Sequence, residues 1–314
     1  MSPRTRTGAP YLVTASGIPN YGDDFIARSW VRYLHRRYPE TRVWVDCLDP
    51  GVAEGLLSPG APFARFTGAL WDVARALPED VSYPAARQLV RGILAEAEGA
   101  REDPLAPART ASSIHIVGGG FLNTIWPQNL GLVAAAAELH RRHGVRLIGT
   151  GLGLMPHDDP SPELLEDLAL FAHLEARDAV GAERFGVPHG LDDAWLGVPD
   201  LPSWRGVWEG ELPRVVVLLQ GDLASEELRE AFPRMVRAFL ARHGAEHGRG
   251  AAFLEGFPPV DARAWPELKQ EYPEARFVRF EELWELGLRG EPGQVWLTSR
   301  FHAHLLAAST GAAG

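Results

Sequence analysis

The sequence predicts an α/β protein built from two Rossmann-like domains that face each other across a cleft. Three observations lead there. Apolar strand-like runs alternate with amphipathic helical patterns along most of the 314 residues. The alternation stops at a Pro-, Gly- and Trp-rich stretch, Val198–Pro213, and then restarts. The length suits two α/β domains of about 150 residues each. The expected division is therefore 1–197 for the first domain, 198–213 for a linker and 214–314 for the second.

In the first domain Tyr11–Ala15 reads as a buried strand. In the helix that follows, Ile26, Trp30 and Leu34 recur every four residues on one face, with Arg28, Arg32 and Arg36 elsewhere. Arg42–Cys47 alternates as a second strand, with Cys47 expected to pack as a small hydrophobe. Residues 49–109 fit the alternation least; they are rich in Ala, Gly and Pro and are expected to form a helical insertion beside the sheet. Ser113–Val117 is a strand that runs into Gly118, Gly119 and Gly120. Leu130–Arg142 is a helix closed by Gly144, and Arg146–Gly149 a strand that leaves through Gly149, Gly151 and Gly153. Pro162–Leu170 is a helix with Ser161 at its N-cap.

In the second domain the strands are Val215–Leu219, Ala251–Leu254, Arg276–Val278 and Val295–Thr298. The helices are Ser225–Arg242, Asp261–Tyr272, Glu281–Leu288 and Phe301–Ala308, with His304 expected to turn into the packed face of the last. The sequence then runs out into Ser309–Gly314, where α/β grammar expects another strand. The second domain is accordingly expected to be truncated at its C-terminus.

Composition narrows the function. Lys+Arg number 31 against 41 Asp+Glu, a formal net charge of −10, which disfavours a nucleic-acid partner or an anionic membrane surface. No apolar run is long enough to span a bilayer and no leader pattern precedes the first strand, so a cytoplasmic protein with at most peripheral membrane contact is expected. The single cysteine excludes an intrachain disulfide and a cysteine-based zinc site. Lys269 is the one lysine, and no glycine turn is followed by Lys, which excludes a P-loop.

Chemistry-bearing residues gather where strands hand over to helices, the edge at which open α/β sheets bind ligands. Asn20-Tyr21-Gly22-Asp23-Asp24 opens the first helix. One of the two acids serves as a cap; the other is spare, and a carboxylate at a cleft is a general base for a hydroxyl. Gly118–Gly120 and Gly149–Gly153 are permissive turns, as fit for close packing as for ligand contact. Arg177, in Ala176-Arg177-Asp178, falls at a strand end, and Asp192-Asp193 follows another short strand-like piece; both also read as solvated charge. Ser299-Arg300-Phe301-His302 opens the last helix and sets a guanidinium and an imidazole beside free N–H groups, a pattern suited to an oxyanion.

The order of these elements resembles the polysaccharide pyruvyl transferase family: N-x-G-D, a triple glycine after a strand, G-x-G-x-G, A-R-D, D-D-A and finally S-R-F-H-A, from Ser16 to Ala308. The resemblance implies a two-domain, glycosyltransferase-like (GT-B) architecture. It also implies transfer of the enolpyruvyl group of phosphoenolpyruvate onto two hydroxyls of a sugar, glycan or lipid-linked saccharide as a cyclic ketal, in polysaccharide biosynthesis. It needs no cofactor beyond phosphoenolpyruvate as co-substrate, and no metal. It carries Arg300, Arg177 and Ser299, with Gly118, Gly119 and Gly120, to donor binding, and His302 to acid catalysis. Asp23 is the expected base for the acceptor, with Asn20 and Asp24 as acceptor contacts. Two other functions share these features: a GT-B glycosyltransferase that uses a nucleotide sugar, and a degenerate, non-catalytic family member that binds glycan.

Overall fold

The computed structural model describes residues 8–59 and 61–314. The chain divides into two compact units. The first runs to Ile18 and continues over Asp23–Leu196; the second comprises Pro19–Gly22 and Gly197–Gly314.

The first unit is a six-stranded, all-parallel sheet flanked by helices. Its elements are β1 (Pro10–Val13), α1 (Tyr21–Arg37), β2 (Val43–Asp46), α2 (Pro50–Leu57), β3 (Ala64–Thr67), α3 (Ala69–Arg75), α4 (Tyr83–Glu98), α5 (Ala106–Thr110), β4 (Ser113–Ile116), α6 (Gly131–His143), β5 (Arg146–Leu152), α7 (Pro162–Leu168), β6 (His173–Ala176) and α8 (Ala179–Phe185). The first two residues of α1 group with the second unit. The strand order is β3-β2-β1-β4-β5-β6, the doubly wound Rossmann order. The chain builds outward from β1 to β3, then crosses back to lay β4 on the other side of β1. The loops after β1 and β4 therefore splay apart and leave a crevice at the C-terminal edge.

The stretch 49–109 corrects the expectation of a purely helical insertion. It holds four helices, but also β3, which pairs in parallel with β2 and forms the sheet edge. The core explains the Ala-rich composition of α6, in which Leu132 to Ala137 are all buried so that α3, α4 and α7 approach closely. Capping follows the sequence: Ser161 Oγ accepts Leu164 N–H, and Gly144 ends α6 in the left-handed region at φ 67°. Cys47 is fully buried, and burial pushes its thiol pKa up.

The second unit is a four-stranded parallel sheet in the order β10-β7-β8-β9. Its elements are β7 (Val215–Leu218), α9 (Glu226–Arg242), β8 (Ala251–Leu254), α10 (Trp265–Glu271), β9 (Arg276–Val278), α11 (Phe280–Leu286), β10 (Val295–Thr298) and α12 (Phe301–Ser309). Val215, Val216 and Val217 are buried on both faces, as a central parallel strand requires. The winding reverses between β7 and β10, so the loops after those strands flank this unit's crevice. The stretch expected as a linker packs into this unit: the fully buried Trp204 donates Nε1–H to Gly287 O, and its backbone N–H reaches Glu291. His304, expected in the packed face of α12, is exposed. Among the described residues no helix is long and apolar enough to cross a membrane.

Candidate active site

Each unit gathers its polar side chains at its own crevice. In the first, the two glycine turns close around the second carboxylate of the Asp192-Asp193 pair. Asp193 is almost fully buried, and its Oδ2 accepts three hydrogen bonds. They come from Gly118 N–H at 2.7 Å, Thr150 Oγ1–H at 2.8 Å and Trp30 Nε1–H at 2.8 Å. Burial raises the Asp193 pKa, and the three donors oppose that rise. The absence of side chains makes room for it: a Cβ on Gly118 would meet Asp193 Cβ at 3.0 Å, and Gly151, at φ 56°, lies against its carboxylate.

Thr150 passes the network on to His115, whose Nε2 lies 2.8 Å from Thr150 Oγ1. Thr150 has one hydroxyl proton and gives it to Asp193, so its oxygen accepts from His115 Nε2–H. His115 is thereby fixed as the neutral Nε2–H tautomer. Burial, with a smaller contribution from His173, lowers its pKa to about 3. Trp30 packs edge-on against the His115 ring at 4.5 Å.

Arg177 leaves the end of β6, as the sequence places it, and lies against glycine backbone. A Cβ on Gly120 would stand 3.2 Å from its Nη2, and one on Gly153 would stand 2.9 Å from its Nε. Asp192, buried, accepts Arg177 Nη1–H at 3.0 Å and orients the guanidinium. Asp23 joins the same turn, with Oδ1 3.2 Å from the position of a Cβ on Gly119. One crevice thus brings Arg177, Asp23 and Gly118–Gly120 together.

Two expected site residues are engaged within the protein. Asp24 is wholly buried and accepts Ser16 Oγ–H at 2.6 Å and Gly17 N–H at 3.2 Å, so it ties down the loop after β1. Gly118 gives its N–H to Asp193. Asn20, in the stretch that groups with the second unit, is half-buried.

In the second unit the network centres on Arg300 and Asp261. Arg300 Nε donates to Asp261 Oδ2 at 2.7 Å and Nη2 to Oδ1 at 2.6 Å, a bidentate pair. Nη2 also reaches Asp222 Oδ1 at 2.8 Å, from the loop after β7. Asp261 has no exposed side-chain surface and further accepts N–H groups of Gly221, Gly256 and Phe257. The guanidinium stacks over Phe257 at 5.3 Å. Arg300 is therefore already held by two carboxylates, which the sequence did not foresee; among the described residues its Nη1 makes no hydrogen bond. Ser299 Oγ accepts Gln220 N–H at 2.8 Å and bridges the two loops at the winding reversal. His302 lies half-buried in the first turn of α12, with its imidazole against Gly22.

Thr150, His115 and Asp261 are the members that sequence reasoning missed, and Asp193 was named without its place in the glycine turns. The D-D-A element was visible, but nothing local ties its second acid to a glycine turn 75 residues earlier.

No curated protein matches the chain. A solved structure described as a candidate UDP-N-acetylglucosamine 2-epimerase from Listeria monocytogenes is similar at 10% identity, over 93% of this chain and 74% of that one, with a TM-score of 0.48. Residues 20–208 match the family described as Polysaccharide pyruvyl transferase, a span that includes Asp23, both glycine turns, Arg177 and Asp193 but ends before Arg300 and His302. That span is more than half of the sequence, and the chain belongs to the polysaccharide pyruvyl transferase family.

Proposed function

We propose that the protein transfers the enolpyruvyl group of phosphoenolpyruvate onto two hydroxyls of a saccharide acceptor to form a pyruvate ketal. The observation that carries this reading lies within the family-matched span. The Arg177 guanidinium rests on Gly120 and Gly153, with the Asp23 carboxylate beside Gly119 in the same crevice. A cation suited to a carboxylate or phosphate and a carboxylate suited to a hydroxyl proton are the two functions the reaction needs.

In the proposed sequence a proton adds to C3 of the donor, and the oxocarbenium-like C2 is attacked by one acceptor hydroxyl, which gives up its proton. The second hydroxyl then attacks C2 and phosphate leaves, carrying away the charge. Per turnover one proton ends in the new methyl group and one on phosphate. Asp23 is assigned to deprotonate the acceptor and His302 to deliver the C3 proton. Arg177 and the Nη1 edge of Arg300 are assigned to the donor's anionic groups. Asp192 and Asp261 hold those two guanidinium groups in fixed orientations, which lowers the ordering cost of gripping an anion.

The test is incubation with phosphoenolpyruvate and a panel of glycans, read by phosphate release together with the mass gain on the sugar. Arg177→Ala should weaken phosphoenolpyruvate binding by roughly 30- to 150-fold, the loss of one charge-assisted contact of about 2–3 kcal/mol. Stabilisation by a nucleotide sugar and not by phosphoenolpyruvate would reject the reading in favour of a glycosyltransferase.

A further inference from the structure

We propose that Gly22 is a positioning residue that gives the His302 imidazole its seat; the inference rests on the acid role assigned to His302 above. Gly22 lies in the first turn of α1, and its φ is outside the left-handed region. Its backbone therefore does not require glycine, and alanine is the better helix former. What requires glycine is the neighbour. A Cβ on Gly22 would stand 3.0 Å from His302 Cβ and 2.6 Å from His302 Cγ, with Nδ1 closer still. Carbon contacts are comfortable at about 3.5–4.0 Å, so a methyl group and the ring cannot share this space.

The helix start cannot retreat to make room. Tyr21 N–H is bonded to Gly256 O at 2.9 Å, and Tyr21 OH accepts Leu288 N–H at 2.8 Å. The Tyr21 ring meets Trp284 edge-on at 5.5 Å. The backbone of His302 is fixed within α12. Pro19–Gly22 and His302 belong to the same compact unit, so the contact is internal to it. The soft degree of freedom is the His302 side chain, and a methyl on Gly22 would turn the ring out of its place. Proton delivery depends on that ring's position, whereas donor binding is assigned to other residues.

The experiment compares Gly22→Ala, His302→Ala, the double variant and the parent protein by thermal melting, by turnover with phosphoenolpyruvate and acceptor, and by NMR of the histidine ring protons. G22A should melt below the parent, against the normal effect of alanine in a helix. The double variant should melt above G22A because the vacated ring space takes the methyl. In turnover, G22A should lose about tenfold or more in kcat with KM for phosphoenolpyruvate within about twofold, and the double variant should be no slower than H302A. The His302 ring signals should move in G22A. If G22A does not fold, the double variant decides: its folding supports the seat, and its failure to fold overturns it. A G22A protein that melts at or above the parent with unmoved His302 signals overturns the contact. Full turnover in H302A would instead remove the acid role, and with it the positioning role of Gly22, while the melting data still report on the contact itself.

Discussion

Replacing Asp193 by alanine should destabilise the first unit by about 2–4 kcal/mol, and replacing it by asparagine should cost under about 1.5 kcal/mol. Three donors converge on Oδ2. Alanine leaves the Gly118 N–H and the Trp30 indole N–H without their acceptor, and an orphaned buried donor costs about 1–3 kcal/mol. The Thr150 hydroxyl can rotate toward another acceptor and adds little. Against this stands the relief of a buried carboxylate whose pKa burial already raises. Asparagine keeps a carbonyl oxygen for the two N–H donors and removes the buried charge, so it should lose far less. Urea unfolding followed by tryptophan fluorescence measures the difference, provided the m-value of the affected transition is unchanged. Hydrogen exchange at the Gly118 amide supplies the local readout and should accelerate in the alanine variant first. Equal losses for the two substitutions, or a loss below about 1 kcal/mol for alanine, would refute the view that Asp193 ties the two glycine turns together.

Other outcomes follow from the same geometry. The folded-state pKa of His115, about 3, lies below the unfolded value of about 6.5, so the unfolded chain binds the extra proton between those limits. Its contribution is complete above pH about 6.5 and is lost as pH falls, up to about 3 kcal/mol at pH 4; His115→Gln should flatten that acid slope in melting curves taken from pH 4 to 8. Asp46 runs the other way. Burial, opposed by donors from Tyr11, Leu70 and Trp71, raises its pKa to about 7, so stability should fall as pH rises from about 4 through 7, and Asp46→Asn should lessen that fall in the same scans. Asp261→Ala strands the buried Arg300 guanidinium and three backbone N–H groups; a loss of about 3–5 kcal/mol is expected in denaturant unfolding, with weaker phosphoenolpyruvate binding by calorimetry.

The central strands Val215–Leu218 and Ala251–Leu254 were legible because central parallel strands are short, fully apolar and followed by polar turns, and the edge strands Arg276–Val278 and Val295–Thr298 also fall where the pattern puts them. β3 was not legible. It is an edge strand of four residues, Ala-Arg-Phe-Thr, with Arg65 exposed, so it lacks the two-sided apolar signature of its neighbours. The site divides in the same way. Arg177 was legible as a cation at a strand end, because the strand fixes where its Cα emerges. Which of Asp23 and Asp24 faces the crevice was not, since neighbours on a helix point about 100° apart and only the buried Ser16 hydroxyl decides that Asp24 turns inward. The partners of Asp193 come from α1, β5 and the turn after β4, and those of Arg300 from two loops of its own unit, all far apart in the chain and brought together only by the folding of each unit.

The carboxylate lodged in the glycine turn after β4 has a consequence for selectivity. Glycine turns of this kind usually trap loose anions with their backbone N–H groups, whatever the rest of the ligand looks like. Here Asp193 occupies the first of those N–H groups. Free phosphate or a nucleotide tail that approaches this turn finds its first donor already taken. The cation beside this turn is the Arg177 guanidinium, a planar two-pronged group of the kind that discriminates by shape as well as by charge. The turn works as a plug, its first donor filled by the protein's own carboxylate.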